Sequence, residues 1–122
     1  MKTAACLSIL VVNDDGEARE AITSFLRSEG FHVFSAKDTD EALSRLTAIP
    51  RPALLLVDLM MPLMNGWSLV AALEEDDRLA TLPVVLVAAS DPTAPEGYRH
   101  IKKPIAVDSL LPIVNQFCVR ML

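Results

Sequence analysis

Short apolar runs and longer amphipathic stretches alternate along this chain. Leu7 to Val12 is continuously apolar except for Ser8, the pattern of a strand buried on both faces. Ala18, Ala21, Ile22, Phe25 and Leu26 then recur at helical spacing, and Gly30 marks the end of that helix. Phe31 to Ala36 reads as a second strand. Asp38, with Glu41 three residues on, opens a capping-box-like helix that turns Ala42, Leu43, Leu46 and Ile49 inward until Pro50 and Pro52 break it. Ala53 to Val57 is again continuously apolar. Beyond Pro62 and Asn65-Gly66, a helix from about Trp67 to Glu75 gathers Leu69, Val70 and Leu73 on one side. Pro83 introduces a strand from Val84 to Ala89, and a shorter one lies around Tyr98 to Lys102. A last helix, from about Val107, puts Val107, Leu110, Leu111, Val114 and Cys118 on one stripe.

Strands alternating with helices predict right-handed βαβ units, a parallel sheet and helices on both of its faces. One crossover departs from this pattern. Only residues 90–97 separate the fourth strand from the fifth, where a parallel crossover normally takes a dozen or more, and Pro95 would interrupt a helix begun at Asp91. The fourth helix is therefore expected to be shortened or missing.

The 122 residues suit one domain, 1–122, and the 52% hydrophobic and 22% charged residues supply a core rather than a disordered chain. With 11 Lys+Arg against 16 Asp+Glu, the net charge of −5 argues against direct nucleic-acid binding. Cys6 and Cys118 have no second cysteine at metal-ligand spacing and read as buried thiols. The apolar start of the chain runs into Asn13-Asp14-Asp15 without a small-residue cleavage site, so it reads as a strand rather than a secretory signal. No stretch reaches the roughly 20 apolar residues of a membrane span. A cytoplasmic location is expected.

In an open parallel sheet, ligands bind beyond the carboxyl ends of the strands. Here the first run ends in Asn13, Asp14 and Asp15, the third in Asp58, and the fifth in Lys103-Pro104. Carboxylates brought together repel one another unless a cation joins them. A hard, oxygen-ligated ion such as Mg²⁺ resolves that conflict and can share a phosphate oxygen, while a lysine offsets the remaining phosphoryl charge.

The segments Ile9 to Asp15, Val57 to Gly66 and Lys102-Lys103-Pro104 resemble the response-regulator receiver domain of bacterial two-component signalling. The resemblance runs from roughly Leu7 to Phe117. Its most specific stretch is Asp58 to Gly66, with Met61-Pro62 and then Asn65-Gly66 following the aspartate. It implies a flavodoxin-like, doubly wound five-stranded parallel sheet of order 2-1-3-4-5. It makes Asp58 the phosphoacceptor, attacking a phosphohistidine on a sensor histidine kinase or phosphotransfer protein. Asp14, Asp58 and the Met60 backbone carbonyl become ligands of Mg²⁺, with Asn13 a weaker or water-mediated one. Lys103 contacts the phosphoryl group, and its bond to Pro104 is expected to be cis. Any catalysis is limited to self-catalysed phosphotransfer and autodephosphorylation. The downstream target is a separate protein or a fused output domain.

Four departures from the family pattern cluster on the signalling side. Ala88 stands where a Thr or Ser hydroxyl normally meets the phosphoryl group, and alanine has no donor. Ser90 is a possible substitute hydroxyl. His100 occupies the place of a switch Tyr or Phe, with Tyr98 on the same strand face. Asn13 replaces the first member of the acidic pair and removes a charge. The missing helix alters a surface on which many receivers bind partners. Asp15, beyond the pair, reads as a solvated carboxylate near a helix N-terminus. Met60, Met61 and Met64 read as packing around the site, Trp67 as an optical reporter or equally as part of a partner surface, and Glu74 to Asp77 as a solvated helix end.

Two functions thus compete: a Mg²⁺-dependent phosphoacceptor with an atypical output switch, and a phosphorylation-independent pseudo-receiver acting as a protein-interaction module. An Asp-nucleophile phosphatase of the haloacid dehalogenase type would need a second Asp at the position of Met60 as general acid.

Overall fold

The apolar runs form one parallel sheet. The computed structural model of the chain describes residues 8–49, 52–58, 66–88, 99–102 and 110–117. Its strands are β1 (Ile9–Val12), β2 (Val33–Ala36), β3 (Leu54–Asp58), β4 (Val84–Ala88) and β5 (Arg99–Lys102). The helices are α1 (Gly16–Ser28), α2 (Thr39–Ala48), α3 (Gly66–Glu75) and α4 (Leu110–Phe117). The described strands are all parallel, in the order β2-β1-β3-β4-β5. The order and the alternation agree with the sequence expectation. The crossover thought to lack a full helix, at residues 90–97, lies outside the described residues, as do Cys6, Val107 and Cys118.

Two apolar layers hold the sheet between its helices. On one face, Leu10, Val12, Leu55, Val57 and Leu86 pack with Ala42 and Leu46 of α2 and Leu69, Val70 and Leu73 of α3. On the other, Ile9, Val11, Leu54, Leu56 and Val85 pack with Ile22 and Leu26 of α1 and Leu110 and Val114 of α4. Successive strand residues alternate between the layers, which is why β1 and β3 read as unbroken apolar runs.

Helix ends follow local chemistry. The Asp15 carboxylate accepts from the N–H groups of Glu17 (3.0 Å) and Ala18 (3.3 Å), which makes Asp15 the N-cap of α1. At the other end Gly30 adopts φ 94°, with Gly30 N–H donating to Arg27 O (3.1 Å) and Phe31 N–H to Leu26 O (3.2 Å). This is a Schellman turn, and Phe31 and Leu26 share a core cluster as its apolar contact. At α2 the Asp38 carboxylate accepts from Glu41 N–H (2.8 Å), while Glu41 reaches one residue further back than in the usual box, to Lys37 N–H (2.9 Å).

One feature differs from the sequence reading and two go beyond it. Ala21, assigned to the buried face of α1, is exposed, and Thr23 is buried instead. The acidic run ends α3 as expected, but Asp76 also builds the next turn. Its carboxylate accepts from Arg78 N–H (2.9 Å) and its carbonyl from the N–H groups of Leu79 (2.9 Å) and Ala80 (2.8 Å). That turn carries Leu79 and Leu82 into the core. Lastly, the outer edge of β2 is covered by side chains. Arg27 of α1 donates to the Val33 carbonyl and Arg45 of α2 to the Ser35 carbonyl, both at 2.8 Å. The two helices thereby close the edge from opposite faces of the sheet.

Thr23 Oγ1 is buried without a hydrogen-bond partner among the described residues. Thr23→Val removes that hydroxyl at nearly constant volume, so it is expected to stabilise the fold by about 1 kcal/mol in urea unfolding. A destabilisation would show that the hydroxyl is in fact satisfied.

Candidate functional site

The carboxyl ends of the strands collect the polar residues that the apolar runs lead into. Val12 of β1 is level with Val57 of β3, so the next positions, Asn13 and Asp58, lie abreast at the ends of adjacent strands. Asp58 is level with Val87 of β4, and Ala88 with Lys102 of β5. The backbone register thus brings the Asn13-Asp14 corner, Asp58, Ala88 and the end of β5 to one edge of the sheet. His100 lies further down β5, level with Leu86, and Gly66 is the first residue of α3. Met60, Ser90, Tyr98, Lys103 and Pro104 lie outside the described residues.

The corner after β1 is fixed by local hydrogen bonds. Asn13 is buried, at 5% exposure, although its side chain is polar. Its backbone N–H still donates to Ala36 O (3.0 Å), extending the β1–β2 ladder by one step. Its Oδ1 accepts from Asp15 N–H at 2.9 Å, an Asx turn that redirects the chain out of the strand. Its carbonyl accepts from Arg19 Nη1 at 2.8 Å. Asp14 follows, half-buried, and Asp15 caps α1.

This set can be tested against the cation that the sequence implies. By residue type, Asp14 and Asp58 would bring carboxylate oxygens, and Asn13 an amide oxygen with one lone pair left after its bond to Asp15. An all-oxygen set suits Mg²⁺, which tolerates water ligands and needs only one or two carboxylates. The residues fit, with Asn13 better suited to a water-mediated contact than to a direct one. Among the described residues no three His, Cys, Asp or Glu side chains form a metal-holding cluster. No helix of the described residues is long and apolar enough to cross a membrane.

The sequence reading put Asn13, Asp14, Asp58 and Ala88 at the strand ends, where the register has them, and Asp15 near a helix N-terminus without naming it the cap; it missed Arg19. The cap had a readable signal, since an Asp directly before Gly16-Glu17 and an amphipathic run is a helix start. Arg19 had none, because its partner is a main-chain carbonyl six positions away.

Comparison with known proteins agrees with this geometry. A family model for the response regulator receiver domain matches residues 9–115. An uncharacterised 14.6 kDa protein of Leptolyngbya boryana is 34% identical over 126 residues, covering 98% of this chain and 95% of the relative. The response regulator Rre1 of Synechocystis is 34% identical over 122 residues, but this chain, matched over 93% of its length, spans only 52% of that protein. Among solved structures, a response regulator receiver protein from Pseudomonas putida superposes with a TM-score of 0.82 at 28% identity, covering 93% of this chain and 98% of the other.

Proposed function

We propose that this chain, which belongs to the response regulator receiver domain family, accepts a phosphoryl group on Asp58. The donor is a phosphohistidine on a sensor histidine kinase or phosphotransfer protein. The observation that carries this reading is the register that sets Asp58 at the end of β3 abreast of the Asn13-Asp14 corner of β1. In the transfer, a carboxylate oxygen of Asp58 bonds to phosphorus, the P–N bond breaks, and its electron pair leaves with the imidazole. Asp14 and Asp58, with the Met60 carbonyl, are the residues to hold Mg²⁺, which when bound offsets the charge of the phosphoryl oxygens. Asn13 orients the corner that carries Asp14. Lys103 is the cation for the remaining phosphoryl charge, and Lys103-Pro104 is the bond proposed to be cis.

The output step is the atypical part of the proposal. Ala88 offers no hydroxyl to draw toward the phosphoryl group; Ser90 is the proposed substitute hydroxyl, and His100 stands in the place of the switch Tyr or Phe. Restoring the donor is expected to strengthen coupling by on the order of 1 kcal/mol. Ala88→Thr should therefore enlarge the Trp67 fluorescence difference between the free and fluoroberyllate-loaded states. An unchanged difference would remove the donor from the account of the switch.

The primary test is intact mass after incubation with acetyl phosphate, with and without Mg²⁺. A Mg²⁺-dependent phosphoryl adduct on the peptide containing Asp58 is expected. If neither acetyl phosphate, fluoroberyllate nor candidate kinases modify or load the protein, the fold serves instead as a phosphorylation-independent interaction module. Ala88 and the short crossover at residues 90–97, where a full helix is expected to be shortened or missing, favour that second reading, while Asp58, Asp14 and Lys103 speak for the first.

A further inference from the structure

The bonds around the β1–α1 corner give a role to a residue outside every motif. We infer that Arg19 is the positioning residue of the cation site: its guanidinium holds the Asn13 carbonyl and thereby fixes the corner from which Asp14 serves as a ligand. The inference rests on the reading of Asp14 and Asp58 as Mg²⁺ ligands.

The β1–β2 ladder runs out at this point. Asn13 N–H finds Ala36 O, the last residue of β2, and the Asn13 carbonyl is taken by Arg19 Nη1. Asn13 is buried, so a carbonyl left without a donor there would be costly, and the chain would relax to find one. Arg19 is well placed to prevent this. It lies one turn into α1, half-buried, and its own N–H donates to the Asp15 carbonyl at 2.9 Å. Asp15 in turn caps the helix through its carboxylate and donates its N–H to Asn13 Oδ1. Strand end, turn and first helical turn are thus closed into one hydrogen-bonded unit around Asp14. Arg19 links the two ends of that unit through its side chain.

The charge of Arg19 has the opposite effect to its bond. A guanidinium beside an acidic corner repels a divalent cation, so removing the charge alone would tighten metal binding by about two- to fivefold at ordinary ionic strength. Removing the bond frees the corner and weakens binding, because the ordering of Asp14 must then come from the binding energy. The sign of the change therefore separates the two roles. Lysine retains the charge and one donor, whereas methionine retains neither.

The test is isothermal titration of the protein with Mg²⁺, and with Mn²⁺ as a second probe, at constant ionic strength. Arg19→Met is expected to weaken binding about tenfold, and Arg19→Lys to stay within about threefold of the unmodified chain. Circular dichroism establishes that each variant is folded. Should Arg19→Met fail to fold, the same comparison is made in the Thr23→Val background, in which the helix carries one fewer buried unpaired hydroxyl. Equal or tighter binding by a folded Arg19→Met overturns the positioning role, as does a loss in Arg19→Lys equal to that in Arg19→Met. An unmodified chain that binds neither cation overturns the metal-site reading itself, which separates the two failures.

Discussion

Asp58→Asn is expected to abolish the Mg²⁺-dependent phosphoryl adduct, lowering its rate of formation by at least about a thousandfold. The reacting atom is a carboxylate oxygen that ends in an acyl phosphate, and an amide oxygen in the same place carries no full charge and forms no such stable adduct. Asn has nearly the volume of Asp, so the last position of β3 remains filled and the ladder to Val87 is kept. The substitution also removes one negative charge from the edge shared with Asp14, and like charges brought together oppose folding. The fold should therefore remain intact by circular dichroism, with stability unchanged or slightly raised. An adduct that persists in Asp58→Asn, mapped to Asp14 or Asp15, would move the acceptor from β3 to the corner after β1.

Leu10→Ala is expected to be the most damaging single truncation of the core, at about 3–4 kcal/mol. Leu10 is fully buried in β1, which has a strand on each side and a helical layer on each face. It belongs to the cluster containing Leu55, Val57 and Leu86, so the cavity would open between elements that hydrogen bonds keep from closing in. A domain of this size has a total stability of about 5–15 kcal/mol, so the loss would be visible as a large fall in the urea midpoint. Leu111→Ala on the partly exposed flank of α4 gives the comparison, at about 1 kcal/mol. Equal effects at the two positions would contradict the layered core described above.

How much of this was legible in the sequence depended on the range of the interaction involved. Asp38 and Glu41 announced the start of α2 because a cap and its partners lie within one turn. Gly30 announced the end of α1 because the positive φ of the Schellman turn favours glycine. The unbroken apolar runs of β1 and β3 announced strands covered on both faces, and the residues ending them marked the site. By contrast, Ala21 and Thr23 exchanged places relative to the periodic pattern. Both are small enough for either environment, so the apolar pattern alone does not settle which of them is buried. Leu79 and Leu82 carried no periodic signal, since they enter the core from a turn that Asp76 shapes.

The sequence by itself determined the alternation of strands and helices, their approximate ends and the residues that meet at the carboxyl edge of the sheet. Those features arise from side-chain periods and caps that act over a few residues. Tertiary structure alone decided that Arg19 holds the Asn13 carbonyl and that Arg27 and Arg45 close the edge of β2. In each case a flexible cationic side chain meets a main-chain carbonyl, a group that every residue carries. Which carbonyl is left without a ladder partner follows, for Asn13, from where β2 ends and, for Val33 and Ser35, from the place of β2 at the edge of the sheet; the folded sheet sets both.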